Sequence, residues 1–159
     1  MIVYVLGATG AGKSALTPYL RTRLPAHLVI DWDAFMGPAG ELSGRDIRSD
    51  ATTWGSYRDL VRSVVEIGGA LDVVLLGVCT PQELSDWPNG LWVLLDCSDD
   101  ERRRRLRDRD DSHDHESAVD DALSYRSLDL PILDTTNLDL ASTADSLADF
   151  IRSVGPPPA

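Results

Sequence analysis

The sequence predicts an α/β fold of three layers, with helices on both faces of a five-stranded parallel sheet. Short apolar runs alternate with amphipathic stretches, which is typical of strands joined by crossover helices. The runs are dense in Val, Ile and Leu, as expected of strands buried on both faces. A glycine-rich segment joins the first run to the first helix. The predicted strands are Ile2–Leu6, Leu28–Ile30, Val73–Leu76, Leu91–Leu95 and Leu130–Leu133.

The length and composition indicate one globular domain. In a chain of 159 residues we expect one core within residues 1–154 and a disordered Pro-rich tail at 155–159. The net charge of −11 makes a nucleic-acid partner unexpected, since clustered Lys and Arg bind phosphate backbones. No apolar stretch approaches the ~20 residues that span a bilayer. We therefore expect a cytoplasmic protein in which Cys79 and Cys97 are reduced. We also expect the protein to be a monomer or a weak dimer.

Five helices are expected around these strands, near residues 13–23, 55–68, 99–109, 116–127 and 141–153. Asp99 and Ser142 are the candidate N-caps of two of them, because their side-chain oxygens can accept from free amides of the first turn. Pro18 lies just past the first turn of the first helix. It predicts a kink or a short first segment, because proline removes one helical hydrogen bond.

The first strand leads into the motif Gly-x-x-x-x-Gly-Lys-Ser without a mismatch. Lys13 is the only lysine among the fifteen Lys and Arg residues, and its compact charge would reach the β- and γ-phosphates of a nucleotide. Ser14 offers a hydroxyl to Mg²⁺, while the glycines let backbone N–H groups face phosphate oxygens at a helix N-terminus. The sequence therefore predicts a nucleotide-binding P-loop (Walker A motif) that consists of Gly7, Ala8, Thr9, Gly10, Ala11, Gly12, Lys13 and Ser14.

The second strand ends with two carboxylates, Asp31 and Asp33, two residues apart. In extended backbone they share a face, and two close carboxylates need a cation or a proton donor between them. One would face the water shell of Mg²⁺, and the other would take the proton of an acceptor hydroxyl during phosphoryl transfer. Alternatively, Asp31 caps the strand and Asp33 caps the next helix.

The segment 34–70 is the predicted acceptor-binding region. Trp54 and Tyr57 are candidates for a wall of that site, although aromatic packing in the core is the commoner explanation. The third strand ends without an acidic residue, and Cys79 and Thr80 that follow it either line the pocket or pack the strand end.

The fourth strand ends at Asp96, which either holds the next loop through local amide hydrogen bonds or binds Mg²⁺. Six arginines then follow between positions 102 and 109. A solvated helix with acidic neighbours accounts for several of them. Arg105 and Arg109 are the candidates to reach triphosphate oxygens and stabilise transition-state charge, and Arg126 is a further candidate.

Two polar loops remain. The stretch 110–116 alternates His and Asp, but it is interpreted as a solvated loop, since it lacks the supporting shell of a metal site. The last strand leads to Asp134-Thr135-Thr136-Asn137, where Thr136 is the candidate to recognise the edge of a nucleotide base. A plain helix N-cap region explains the same residues equally well.

Together these residues resemble the small P-loop kinases of the nucleoside-monophosphate-kinase-like group. That group includes shikimate kinases, gluconate kinases, chloramphenicol phosphotransferase-like enzymes and polynucleotide-kinase-type domains. The resemblance spans almost the whole chain and rests on the P-loop, Asp31 and Asp33, the segment 105–109, Arg126 and the loop 134–136. Of these, the P-loop is the specific motif, and the others match mainly by order and position.

The resemblance implies a sheet order of 2-3-1-4-5, ATP and Mg²⁺ as cofactors, and a lid that matches residues 105–117. It implies transfer of the γ-phosphate to a hydroxyl of a small molecule, with Asp33 as the base. Ser14 and Asp31 would place Mg²⁺. The catalytic residues would be Lys13, Asp33, Arg109 and Arg126. Shikimate itself is a poor candidate acceptor, because the third strand lacks the multiple-glycine end of shikimate kinases.

Two other functions stay open from the sequence. A nucleoside monophosphate kinase would use Arg45, Arg48 and Arg58 to hold the phosphate of its acceptor and would need no base. A nucleotide-dependent switch or other non-kinase NTPase would use Asp96 as its metal residue. Phosphorylation of nucleic-acid ends is disfavoured by the acidic charge of the chain.

Overall fold

The structure is a computed structural model, which describes residues 1–68, 71–109 and 115–154. Its strands are β1 (Ile2–Leu6), β2 (His27–Asp31), β3 (Asp72–Gly77), β4 (Leu91–Asp96) and β5 (Ile132–Asp134). They form one sheet in the order β2-β3-β1-β4-β5, and all neighbouring strands are parallel. The α/β class expected from the sequence and the sheet order that the resemblance implied are confirmed.

The helices are α1 (Lys13–Arg23), α2 (Met36–Ser43), α3 (Trp54–Ile67), α4 (Asp99–Asp108), α5 (His115–Arg126) and α6 (Leu140–Val154). Short 3-10 helices cover Trp32–Phe35 and Ala51–Thr53. The five predicted helices agree with observed helices to within one residue at each end. Helix α2 escapes prediction because two glycines and a proline hide its periodicity. Among the described residues, no helix combines the length and apolar character needed to cross a membrane.

Strand β5 starts two residues later than the sequence predicts. The chain turns at Asp129, which has a positive φ of 53°. Pro131 lacks an N–H group and so cannot donate to the ladder, although its carbonyl accepts from Leu94 N at 2.8 Å. The run Leu130–Leu133 is therefore only partly strand, and the regular part is Ile132–Asp134.

The N-caps of α4 and α6 also differ from the predicted ones. Ser98, not Asp99, caps α4, because its hydroxyl accepts from Glu101 N at 3.3 Å. At α6, Asp139 Oδ1 accepts from Ser142 N at 2.7 Å, so Ser142 supplies the capped amide and not the cap. A cap must precede the amide it binds by two or three residues, which places both caps upstream of the predicted positions.

Two apolar cores hold the layers together, one on each face of the sheet. On one face, Leu16 and Leu20 of α1 pack with Leu147 of α6 against β1 and β3. Helix α1 continues through Pro18, with these two buried leucines on either side of the proline. On the other face, Val61 and Val65 of α3 pack against the sheet.

The strand register brings the functional loops to one edge of the sheet. Leu6 pairs with Gly77, and Asp31 pairs with Leu76. The P-loop therefore begins at the level where β2 ends with Asp31 and β3 ends with Gly77. This is the carboxyl edge of the parallel strands, where open α/β sheets bind their ligands.

Candidate active site

The P-loop is a tight turn that only glycine allows at three positions. Gly10 and Gly12 have φ angles of 85° and 95°, a region that side chains disfavour. A Cβ atom on Gly7 would lie 2.8 Å from Leu95 O, and one on Gly10 would lie 2.9 Å from Arg102 Cγ. The predicted loop between β1 and α1 is therefore packed closely against the start of α4 and the end of β4.

Lys13 begins α1, and its side chain turns back over the loop. Its Nζ donates to the carbonyl oxygens of Gly7 and Ala8, the second at 3.2 Å. Burial lowers the pKa of Lys13 to about 8, and the nearby charges of Asp33 and Asp31 oppose this shift. An anionic phosphate beside Nζ would favour the charged amine further.

A small cavity, here called the P-loop cavity, brings together eight of the predicted site residues: Thr9, Gly10 and Gly12 of the P-loop, and Lys13, Ser14, Asp31, Asp33 and Arg109. It has a volume of about 70 Å³ and is completed by the backbone of the P-loop and the end of β3. Cations and carboxylates thus face one small space, as phosphoryl transfer to a hydroxyl requires.

Asp31 and Asp33 occupy different environments within that cavity. Asp31 is buried, and its Oδ1 accepts from Asp33 N at 3.1 Å, so it caps the 3-10 helix that follows β2. The side chain of Asp33 is 41% exposed, and its Oδ2 lies 3.5 Å from Nη2 of Arg48. Asp31 therefore fixes the backbone that carries Asp33, while Asp33 stays open to a ligand.

The site offers oxygen donors that suit Mg²⁺. These are the exposed hydroxyl of Ser14 and the carboxylates of Asp31 and Asp33. Mg²⁺ is usually held by one or two carboxylates together with substrate phosphates. No group of three or more His, Cys, Asp or Glu placed to hold a metal occurs in residues 1–68, 71–109 and 115–154.

A second cavity, here called the Arg105 cavity, adjoins the P-loop cavity and shares Gly12 and Arg109 with it. Its volume is about 570 Å³. Arg105 Nη2 donates to Thr135 O at 2.8 Å, and its Nε donates to Glu101 at 2.7 Å. Leu16 and Leu138 supply apolar walls. This size and mixed lining suit a nucleoside.

Arg109 lines both the Arg105 cavity and the P-loop cavity. It is exposed at the end of α4 and so can approach a phosphate chain that passes between the two spaces. Of the predicted lid 105–117, residues 105–108 belong to α4 and residues 115–117 to α5, whereas residues 110–114 lie outside the described residues, as does the predicted tail 155–159. The solvated loop predicted at 110–116 does not extend over its last two residues, because His115 and Glu116 begin α5 and Glu116 pairs with Arg103 at 2.9 Å.

Thr136 does not line either cavity, in contrast to its predicted role at the nucleotide base. Its hydroxyl donates to Asp134 at 2.6 Å and accepts from Ser98 N at 2.8 Å, which ties β5 to the start of α4. The neighbouring Thr135 lines the Arg105 cavity instead. A contact of Thr136 with the nucleotide base therefore stays a prediction.

A third cavity, the Trp54 cavity, lies on the other side of the P-loop cavity and shares Val78 with it. Its volume is about 790 Å³, and Trp32, Trp54 and Tyr125 supply aromatic walls. Its other lining residues are Gly55, Arg58, Val78, Cys79, Thr80, Gln82, Glu83, Leu84 and Asp121. Trp54, Cys79 and Thr80 therefore line a pocket, which the sequence left open.

Tyr57 belongs to the hydrophobic core and does not line the Trp54 cavity. It is 2% exposed, packs edge-on against Trp32 and donates its hydroxyl to Trp32 O. Of the two aromatic candidates in the segment 34–70, only Trp54 faces the Trp54 cavity.

A cluster of charged residues, partly buried at Arg126 and fully buried at Arg102, contacts the P-loop at the end of β4. We call Asp96, Arg102 and Arg126 the Asp96 cluster. Both carboxylate oxygens of Asp96 are bound by guanidinium groups, those of Arg102 and Arg126. Arg102 is fully buried and also donates to Thr9 O at 2.7 Å. The cluster therefore anchors the P-loop backbone to the end of β4.

The sequence did not distinguish Arg102 from its five neighbouring arginines. Asp96 holds its surroundings through guanidinium groups and not through the local amides expected. Arg126 also pairs with Asp99 at 2.9 Å. Its proposed contact with phosphate stays a prediction, and Arg126 does not line the P-loop cavity.

No protein-family model matches this chain, and no curated protein sequence matches it. Solved structures share its fold over nearly the whole chain. The tunicamycin resistance protein of Deinococcus radiodurans aligns with a TM-score of 0.71 at 17% identity, over 99% of this chain and 98% of that one.

Two kinases show the same likeness. Shikimate kinase from Acinetobacter baumannii, solved with shikimate, has a TM-score of 0.64 at 18% identity, over 96% of this chain and 93% of its own. Deoxyadenosine kinase from M. mycoides, solved with dCMP and dCDP, has a TM-score of 0.60 at 13% identity, over 97% of this chain and 100% of its own. The chain therefore has the fold of the small P-loop kinases.

Proposed function

We propose that this protein is an ATP-dependent kinase that transfers the γ-phosphate to a hydroxyl of a small molecule. The observation that carries the proposal is the row of three cavities at the carboxyl edge of the sheet. We assign a nucleoside to the Arg105 cavity, the phosphoryl group to be transferred to the P-loop cavity and an acceptor to the Trp54 cavity. The phosphate to be transferred would then lie among Lys13, Asp33 and Arg109.

The donor would be held mainly by the P-loop and its flanks. Lys13 would exchange the carbonyl of Gly7 for phosphate oxygens, while Arg109 would approach from the lid side. When bound, Mg²⁺ would neutralise charge on the phosphate oxygens, and Ser14 and Asp31 are the residues that would hold it.

Asp33 would serve the acceptor. As the acceptor oxygen bonds to the γ-phosphorus, the bond from that phosphorus to the β–γ bridging oxygen breaks and ADP leaves. The hydroxyl proton passes to the Asp33 carboxylate. Asp33 suits this role because it is exposed in the P-loop cavity and its backbone N–H is held by Asp31.

The two other functions receive less support from the contacts. A monophosphate acceptor needs gathered arginines, whereas Arg45 and Arg58 pair with separate carboxylates and Arg48 lies beside Asp33. A switch with Asp96 as its metal residue needs a free carboxylate, whereas that of Asp96 is bound by two arginines. A cytoplasmic location, a monomer or weak dimer, and no nucleic-acid partner stay predictions.

An ADP-release assay with Mg·ATP over sugars, polyols, nucleosides and nucleotides tests the proposal. With a hydroxyl acceptor, Asp33→Asn should lower kcat by about 10²–10³-fold, because the general base is lost, and should leave ATP affinity within about twofold. Asp59→Asn is the matched control, since Asp59 is exposed on α3 and lines none of the three cavities.

Unchanged turnover of Asp33→Asn would remove Asp33 as the base. Failure of every hydroxyl compound to raise ADP release above the rate with water would overturn the kinase proposal.

A further inference from the structure

We infer that the acceptor is an uncharged or positively charged ring compound with hydroxyl groups, and that the Trp54 cavity excludes carboxylic acids and phosphate monoesters. This inference rests on the proposed function, because it assigns the Trp54 cavity to the acceptor. Its basis is the shape and the charge of that cavity.

The aromatic walls of the Trp54 cavity favour a ligand that contains a ring. Trp54 is a large aromatic side chain that is 36% exposed at the cavity, and Trp32 lies in the same lining. Flat aromatic faces bind planar or apolar ring faces, and they also attract cations. Leu84 and the partly buried Cys79 extend the apolar part of the wall.

The charges disfavour an anion. The lining holds two carboxylates, Glu83 and Asp121, and one guanidinium, that of Arg58. Arg58 is already paired with Asp86. Asp121, in contrast, has no hydrogen bond or ion pair with another described residue.

The pKa values of two neighbouring groups, Tyr125 and Cys79, are raised in the direction expected near negative charge. Burial raises the pKa of the Tyr125 hydroxyl, and the charges of Asp121 and Glu83 raise it further. Burial and the charge of Glu83 raise the pKa of the Cys79 thiol to about 12, and the charge of Arg58 opposes this shift without cancelling it. A carboxylate or phosphate placed here would meet the same repulsion, while an amine would be attracted.

Cys79 allows a test that needs no knowledge of the acceptor. It lines the cavity, whereas Cys97 is buried. Two methanethiosulfonates with the same reactive group, one bearing trimethylammonium and one bearing sulfonate, are reacted with the protein at one pH. Each rate is divided by that of the same reagent with 2-mercaptoethanol, and Cys79→Ala identifies the reaction at this thiol.

We expect the positive reagent to react faster than the negative one by on the order of tenfold after this correction, because a reagent that reaches the thiol enters a cavity lined by two carboxylates, of which Glu83 acts on the thiol itself. The double variant Glu83→Gln/Asp121→Asn should bring the ratio below threefold (about 0.65 kcal/mol). The glutamine amide in this variant keeps an acceptor for Thr80, whose N–H and hydroxyl bind Glu83 at 2.7 and 2.9 Å. Asp120→Asn, on the same helix as Asp121 but outside the lining, should keep the full ratio.

A corrected ratio below about threefold in the unaltered protein would overturn the inference. A second arm compares ADP release with adenosine against AMP, and with glucosamine against gluconate. Faster turnover of gluconate would also overturn it, yet would leave the kinase proposal intact. Faster turnover of AMP would overturn it and would favour the nucleoside monophosphate kinase instead of a hydroxyl kinase. If none of the four compounds is turned over, the result counts against the kinase proposal. The thiol reaction rates still determine whether the cavity favours a positive or a negative ligand.

Discussion

The two sides of the P-loop cavity are built in different ways. On the donor side, Arg105 is bonded to Glu101 and Thr135, and buried Arg102 fixes the backbone of Thr9. On the acceptor side, Trp54 and Asp121 are exposed and open to a ligand. The donor side is thus organised before binding, and the acceptor side leaves its specificity to a few open side chains.

The largest effect should come from Lys13, at the junction of the two sides. Lys13→Ala removes the charge that would bind the migrating phosphoryl group, so kcat/KM for ATP should fall by on the order of 10³. Steady-state ADP release measures this. Arg107→Ala, an exposed charge outside the three cavities, should have no effect. Equal losses in both variants would point to general charge and not to the P-loop.

The Asp96 cluster tests whether the donor side is preorganised. Asp96→Asn leaves buried Arg102 without its counter-ion, so the free energy of unfolding should fall by about 3 kcal/mol. Urea denaturation measures this. Asp108→Asn breaks the exposed Arg104–Asp108 pair at 2.8 Å and should cost less than about 1 kcal/mol. If Asp96→Asn instead lost Mg·ATP binding while its free energy of unfolding stayed unchanged, the nucleotide-dependent switch would be favoured.

A pair of variants should separate the two sides. Arg105→Ala should raise KM for ATP by about tenfold, because the charged hydrogen bonds that would hold the nucleotide are lost. The same variant should leave KM for the acceptor unchanged. Trp54→Ala should raise KM for the acceptor by about fivefold and leave that for ATP unchanged. Two-substrate kinetics measures both. If each variant changed both constants alike, the division into two sides would be wrong.

The smallest effect concerns pH. The free enzyme loses the charge of Lys13 as the pH rises through its lowered pKa of about 8, whereas in the unfolded chain the amine stays charged up to about 10.5. At about pH 8.5, kcat/KM for ATP should be about fourfold below its plateau. The pH profile of Lys13→Arg should lack this step, since arginine stays charged.

The same ionisation affects stability in the opposite direction. Between about pH 8 and 10.5, the unfolded chain binds more protons at Lys13 than the folded protein does. The contribution of Lys13 to the free energy of unfolding therefore rises with pH in this window.

The contrast between the two sides also explains what the sequence could predict. The P-loop is eight consecutive residues whose function depends on backbone geometry, so the motif alone located it. The pairing of Arg102 with Thr9 joins positions 93 residues apart and leaves no local signal. The helix caps at Ser98 and Asp139 differ by one to three positions because several polar residues compete at each helix start.

The acceptor side was predictable only in part. Trp54 and Asp121 come from α3 and α5, and Cys79 follows β3, so their meeting depends on the packing of distant segments. Nothing in the local pattern of Asp121 separates it from Asp120, yet only Asp121 lines the cavity. Of the segment 34–70 expected to bind the acceptor, Trp54, Gly55 and Arg58 line the Trp54 cavity, and the two carboxylates of the lining come from outside that segment.

One consequence of the P-loop geometry concerns chemical labelling. The chain has a single lysine, and burial keeps the amine of Lys13 partly uncharged, hence nucleophilic, near neutral pH. An acylating reagent small enough to enter would find one side-chain amine to modify, located at the phosphate site itself. Protection of that amine by a bound nucleotide would turn mass spectrometry of the proteolytic peptide that contains Lys13 into a direct readout of occupancy.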